Sequence, residues 1–225
     1  MDYVLVHGTT QAPAGWQRLT GALTRRGHRV QAVDLPADKP SLLAADYAGL
    51  AADQVAGQVD EPVVVAHSGG CLLLPAIARE VGARHLVWLA GYIPDPAGGQ
   101  SFAGEIKASG AGMFGPEWRS LTEPPTADPV VAAYFLFHDC DLETLRWAVS
   151  TLRLFFPVAA YQEAGQPAEP VAPSTYVLPS GDRTFRPDWM RAAARERLGV
   201  DPVEIEGGHC PHVSQPEAIA EILDR

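Results

Sequence analysis

At 225 residues the chain is long enough for one α/β domain with a substantial buried core. Its formal net charge of −10 argues against nucleic acid or an anionic membrane surface as a partner, and no uninterrupted apolar stretch approaches the length of a membrane span. Three cysteines (Cys71, Cys140 and Cys210) are too few and too scattered for a disulfide framework, and no charged-then-apolar leader precedes the first strand-like run, so the expected location is the cytoplasm.

Strand-like apolar runs alternate with helical segments, which predicts an α/β fold: a mostly parallel sheet of about six strands flanked by helices on both faces. The first strand is Tyr3–Val6, which runs into His7-Gly8-Thr9-Thr10. Gly8 permits a tight turn there, and His7 is expected to hold the loop through backbone hydrogen bonds. A helix over Gly15–Arg26 follows, and the basic cluster Arg25-Arg26-Gly27-His28-Arg29 at its end reads as a solvated cap on the helix dipole. Next come a strand at Val30–Asp34, a helix at Leu42–Val59 and a strand at Val63–Ala66.

That third strand leads into Ala66-His67-Ser68-Gly69-Gly70 and then Cys71-Leu72-Leu73-Leu74. A buried strand turning abruptly into a helix through a serine flanked by small residues is a nucleophile elbow. The serine sits in a strained backbone conformation, so the positions two before and two after it must be almost bare; here they are Ala66 and Gly70. His67 reads as a packed residue beside the elbow. The helix is expected over Gly69–Val81 with a kink at Pro75, which removes one of its hydrogen bonds at a cost of about 3 kcal/mol.

After a strand at Leu86–Leu89 the alternation stops. Pro94, Pro96, Gly98 and Gly99 open an interrupted region that Gln166-Pro167-Ala168-Glu169-Pro170 closes. Inside lie two helical patterns, near Pro129–His138 and Leu142–Leu154. The whole stretch, residues 94–173, is expected to be a helical cap on a single domain whose core is 1–93 and 174–225. Phe135, Phe137, Leu145, Trp147, Leu152, Phe155 and Phe156 cannot all face one core at helical spacing, so some should line a pocket, and Trp147 is the expected pocket wall.

The alternation then resumes, with a strand at Tyr176–Leu178, a helix at Pro187–Leu198, a strand at Val203–Ile205 and a helix at Pro216–Leu223. Asp182 in Ser180-Gly181-Asp182 and His209 in Gly207-Gly208-His209 each sit just past a strand. A serine hydroxyl needs a base to take its proton and an acid to orient that base. The chain order of Ser68, Asp182 and His209 supplies all three. Asp95 after the fourth strand is a rival acid and His212 a rival base, while His209-Cys210-Pro211-His212 could be read as a metal cluster but lacks a second ligand group. Arg183 and Arg186 beside the acid read as solvated surface, and Cys210 as a small packed residue.

Together Val6-His7-Gly8-Thr9, Ala66-His67-Ser68-Gly69-Gly70, Gly181-Asp182 and Gly207-Gly208-His209-Cys210-Pro211 resemble the α/β-hydrolase fold superfamily. Within it, the chain is similar to the small methyl-esterase and hydroxynitrile-lyase-like serine hydrolases, over nearly its whole length. The resemblance implies a catalytic triad of Ser68, Asp182 and His209, with the backbone N–H groups of Thr9 and Gly69 as oxyanion donors. Two departures stand out. Ala66 replaces the usual glycine, and Gly69 replaces a bulkier residue, which should leave extra room beside the serine.

The expected activity is cleavage of a small or medium hydrophobic carboxylic ester through an acyl-enzyme, with no cofactor and no metal. A lyase or other cofactor-free acid–base reaction in the same pocket is one alternative. A ligand-binding sensor that keeps the hydrolase shell is another.

Overall fold

The computed structural model describes residues 1–95, 97, 99–164 and 172–224. Pro96, Gly98 and the segment 166–170 lie outside the described residues. Six strands form one wholly parallel sheet: β1 (Asp2–Val6), β2 (Arg29–Val33), β3 (Val63–His67), β4 (His85–Leu89), β5 (Ser174–Pro179) and β6 (Val203–Ile205), in the spatial order β2-β1-β3-β4-β5-β6. Each expected strand is present to within a residue or two at its ends.

The continuous apolar runs follow from burial on both faces, because successive strand residues point to opposite sides. Val4, Val6, Val64, Ala66, Leu86, Trp88, Tyr176 and Leu178 belong to one buried cluster. Tyr3, Leu5, Val63, Val65, Val87, Leu89 and Val177 belong to the other. The first face packs on α2 (Ala44–Val55) and α3 (Leu74–Glu80) through Tyr47, Ala48, Ala51 and Ile77. The second packs on α1 (Gln17–Arg25) and the last helix, Pro216–Leu223, through Leu19, Leu23, Ile219 and Leu223.

Pro75 corrects one expectation. The segment after the elbow, Ser68–Leu73, is a 3₁₀ helix, and the α-helix begins only at Leu74. Pro75 therefore occupies the first α-helical turn, where its missing N–H has no intrahelical partner to lose, and no kink cost arises.

The insertion between β4 and β5 holds more helix than its sequence pattern shows. The described helices are α4 (Phe102–Met113), α5 (Pro116–Arg119), α6 (Pro129–Leu136), α7 (Leu142–Ser150) and α8 (Val158–Gln162). Side-chain caps start three of them: Ser101 Oγ accepts from Gly104 N, Asp128 Oδ1 from Val130 N and Asp141 Oδ1 from Thr144 N. In α4, Ala, Gly and Ser leave little apolar periodicity for a pattern reading to find. Phe135, Phe137 and Ala148 form a separate cluster with Cys210 and Val213, whereas Phe155 joins the main core against His7 and Tyr47.

After β5 come α9 (Pro187–Ala193), continued by one π-helical turn to Leu198, then α10 (Pro211–Ser214) and α11 (Pro216–Leu223). Among the described residues, no helix is long and apolar enough to cross a membrane.

Candidate active site

The order of the sheet decides where the site forms. The chain lays β2 on one side of β1 and β3 on the other, with Val6 level with Ala66. At such a switch point the loops leaving neighbouring strands diverge and open a crevice at their carboxyl ends. Into it run the loop after β1, with His7, Gly8 and Thr9, and the turn after β3, with Ser68.

Ser68 has a positive φ of 55°, the strained conformation expected of an elbow. Its neighbours are small because the backbone of another strand end lies against them. A Cβ on Gly70 would overlap the carbonyl of His7, and one on Gly8 would lie 2.9 Å from the Ser68 Cβ. His7 holds its own loop: its Nε2 accepts from Leu35 N at 3.2 Å, so its Nδ1–H is the group that donates to the Gly8 carbonyl at 3.2 Å.

Three side chains from the ends of three strands meet here. His209 Nδ1 lies 2.7 Å from Asp182 Oδ2, and His209 Nε2 lies 2.9 Å from Ser68 Oγ. The carboxylate can only accept, so Nδ1 carries the proton and Nε2 offers its lone pair to the serine hydroxyl. Asp182 is itself fixed: its Oδ1 accepts from Thr184 N at 2.7 Å and Phe185 N at 3.0 Å. The side chains of His209 and Asp182 are 2% and 0% exposed, which keeps water from competing for their bond. Such a line of groups can remove a hydroxyl proton as the oxygen attacks.

The rivals lie elsewhere. Asp95 Oδ1 accepts from Ala97 N. The His212 ring is buried against Trp16 and His67, with centroids 4.2 and 4.6 Å away, and burial holds its pKa down to about 3. Cys210 Sγ accepts from Gln11 Nε2 at 3.2 Å, and burial pushes its thiol well above the usual range. Among the described residues, no group of three or more His, Cys, Asp or Glu is placed to hold a metal ion.

A cavity of about 520 Å³ opens at Ser68. Thr9, Gly69 and His209 line its floor, and Phe102, Ile106, Phe114, Leu136, Leu154 and Phe156 line apolar walls. All six wall residues come from the insertion.

Trp147 does not line this cavity. It sits half-buried against the insertion's own cluster and borders a surface groove with Arg18, Thr144 and Glu217, because α7 turns that face toward α1 and α10 rather than toward the serine. The room expected beside Gly69 is also filled. A Cβ there would overlap Thr9 Oγ1 and Tyr161 Oη, two hydroxyls 2.5 Å apart.

Three further residues shape the site without an obvious signal in the sequence. His138 Nε2 donates to the Gly181 carbonyl at 3.0 Å, and Asp139 Oδ2 accepts from Gly208 N at 2.8 Å. Side chains from the insertion thus hold both the Asp182 loop and the His209 loop, which are also tied together by Gly181 N donating to Gly207 O at 2.9 Å. The glycines make this possible, since a Cβ on Gly208 would lie 2.8 Å from both Asp139 Oδ1 and His138 Nε2. Tyr161 is the third. The bare Gly69 beside Ser68 is the one pointer to it in the sequence.

An open parallel sheet that gathers serine, histidine and aspartate at its strand ends defines an α/β-hydrolase fold. The profile of the alpha/beta hydrolase family matches residues 3–222, so the chain belongs to that family and is placed by it among hydrolases. Similar solved structures include polyneuridine aldehyde esterase (23% identity, 99% of this chain and 97% of that one, TM-score 0.77). A methylesterase from Arabidopsis matches at 19% identity over 100% and 98% of the two chains, TM-score 0.73. Tomato methylketone synthase I, solved with 2-tridecanone, matches at 21% identity over 99% and 95%, TM-score 0.74. No curated protein matches the sequence.

Proposed function

We propose that this hydrolase cleaves small or medium hydrophobic carboxylic esters by a serine acyl-enzyme route. The observation that carries the reading is the 2.9 Å approach of His209 Nε2 to Ser68 Oγ at the floor of an apolar cavity. A volume of about 520 Å³ suits a small-molecule ligand rather than a polymer. The esterase names of two structural neighbours support the same class of substrate.

In this reading His209, oriented by Asp182, takes the Ser68 proton as Oγ bonds to the ester carbonyl carbon. The carbonyl oxygen becomes an oxyanion, held by the backbone N–H groups of Thr9 and Gly69. The intermediate collapses, the C–O bond to the alcohol breaks, and His209 returns the proton to the departing alkoxide. Water, deprotonated by His209, then attacks the acyl-enzyme and frees the acid. Residues 94–173 act as a lid on the core formed by 1–93 and 174–225. The lid supplies the apolar walls and keeps bulk water off the ester.

The test is a panel of p-nitrophenyl esters of graded acyl length, assayed with wild type and Ser68→Ala. Turnover by wild type with a preference among acyl lengths, lost in Ser68→Ala, is the expected result. Equal hydrolysis by the two proteins would remove Ser68 from the mechanism. A stoichiometric burst of p-nitrophenol marks the acyl-enzyme and distinguishes it from acid–base chemistry without acylation.

A further inference from the structure

The cavity floor holds a polar pair that the serine mechanism above leaves unused. Thr9 Oγ1 and Tyr161 Oη lie 2.5 Å apart, and both residues line the cavity beside Ser68 and Gly69. Two hydroxyls carry two hydrogens, and one bond between them uses one. Among the described residues neither hydroxyl has another hydrogen-bond partner, so one O–H remains to be offered.

The position of that pair is set by Gly69. Any side chain there would collide with both oxygens, so the phenol occupies the space a larger residue would take next to the nucleophile. Gly69 and Thr9 are also the two residues whose backbone N–H groups are assigned to the oxyanion. The Tyr161 ring is pinned edge-on between Phe102 and Phe156, with centroids 4.9 and 5.2 Å away, and the residue is only 4% exposed. Its hydroxyl is therefore preorganised rather than free to swing.

Which hydroxyl faces the substrate follows from acidity. Either oxygen can donate in the empty site, but an oxyanion is a stronger acceptor than either hydroxyl and a phenol a stronger donor than an aliphatic alcohol, so once the oxyanion forms the Tyr161 O–H turns to it and Thr9 Oγ1–H donates to Tyr161 Oη. Burial pushes the Tyr161 pKa above its usual range, which keeps that hydrogen in place at neutral and mildly alkaline pH.

We propose that Tyr161 is a further catalytic residue, whose hydroxyl, polarised by Thr9, donates a third hydrogen bond to the oxyanion that forms beside Gly69. The proposal rests on the serine hydrolase reading. It also assigns a reason for glycine after the nucleophile: bulk at that position has been exchanged for a donor.

Tyr161→Phe keeps the ring and its packing while removing the donor. With p-nitrophenyl butyrate, kcat should fall about 100-fold, the scale of one lost oxyanion donor, with KM little changed. Affinity for an alkyl boronic acid, which forms a tetrahedral adduct on the serine, should fall by a similar factor, and the melting temperature should hardly move. Thr9→Val keeps the backbone N–H but loses the polarising hydroxyl, so its loss should be smaller. Gly69→Ala should mimic Tyr161→Phe by displacing the phenol, and the double variant should be no worse than either alone. A Tyr161→Phe enzyme with kcat within twofold of wild type, or with its loss confined to KM, would overturn the proposal. Activity surviving in Ser68→Ala would instead overturn the serine reading on which it stands.

Discussion

His67 and His209 are joined by a hydrogen bond that links the turn at Ser68 to the loop carrying His209: His67 Nε2 lies 2.8 Å from the backbone carbonyl oxygen of His209. The carbonyl can only accept, so Nε2–H donates. The residue immediately before Ser68 therefore holds the backbone that presents the His209 imidazole. Burial, helped by the neighbouring His212 and His209, keeps His67 neutral by lowering its pKa well below the usual range.

His67→Phe should expose the value of that bond. The ring volume is kept, but the His209 carbonyl is left buried without its donor, at about 1–3 kcal/mol of stability. We expect kcat on p-nitrophenyl butyrate to fall on the order of tenfold with KM steady, while His67→Gln, which can restore an N–H donor, recovers part of it. A Phe variant with wild-type kcat would show that the contact is packing only.

Asp182→Asn tests the orienting carboxylate. Oδ1 could keep its bonds from Thr184 N and Phe185 N, but an amide N–H₂ facing His209 Nδ1 would favour the wrong tautomer and take the lone pair away from Ser68. By analogy with the same change in a serine protease triad, kcat should drop by a factor on the order of 10⁴. Thermal unfolding should shift far less than activity. A drop below tenfold would move the orienting role to another group.

The insertion is tied to the core by a partly buried ion pair. Glu105 of α4 meets the Arg197 guanidinium, which also donates to the Ile93 carbonyl at 2.6 Å, and Tyr92 Oη donates to Glu105 at 2.7 Å. Arg197→Met leaves a buried carboxylate without its cation and should destabilise by about 3–5 kcal/mol. Combining it with Glu105→Leu should recover much of that loss, because the stranded charge is gone. Urea unfolding of the two single variants and the double variant measures this; simple additivity would refute the coupling.

Three buried histidines give stability a definite pH dependence. Burial holds His7 at about 4 and His212 at about 3, and His67 is likewise depressed, against an ordinary value of 6.5. As pH falls below 6.5 the unfolded chain takes up protons that the folded chain refuses, so stability must fall between pH 6.5 and about 4. The slope approaches about 1.4 kcal/mol per pH unit for each histidine fully engaged. Well above pH 7 the slope from these groups dies away. Urea midpoints at pH 7.5, 6.5 and 5.5 should fall slightly between the first two, where the unfolded imidazoles begin to protonate, and much more between the last two; a flat response to pH 5.5 would mean that the rings are not held neutral.

Much of the site was legible because its requirements are local. A strand that must be buried on both faces reads as Val63-Val64-Val65, and an elbow serine at positive φ demands small residues at set offsets, so Ala66 and Gly70 announce Ser68. Loops that leave neighbouring parallel strands end at the same edge, so the positions of Asp182 and His209 just past their strands already pointed to one rim. Trp147 failed as a pocket wall because a helix face can be apolar without showing which neighbour it will meet. Pro75 failed as a kink because a shift from 3₁₀ to α-helix five residues earlier or later has almost no compositional signature.

The sequence by itself determined the alternation of strands and helices, the six parallel strands and the order of serine, acid and base, since each follows from periodicity and turn chemistry within a few residues. Only the tertiary structure decided that Tyr161 would fill the space beside Gly69, and that His138 and Asp139 would clamp the glycine loops around Asp182 and His209. Those contacts join residues far apart in the chain, and their geometry comes from how the insertion settles on the sheet. No local preference of the residues involved encodes that packing.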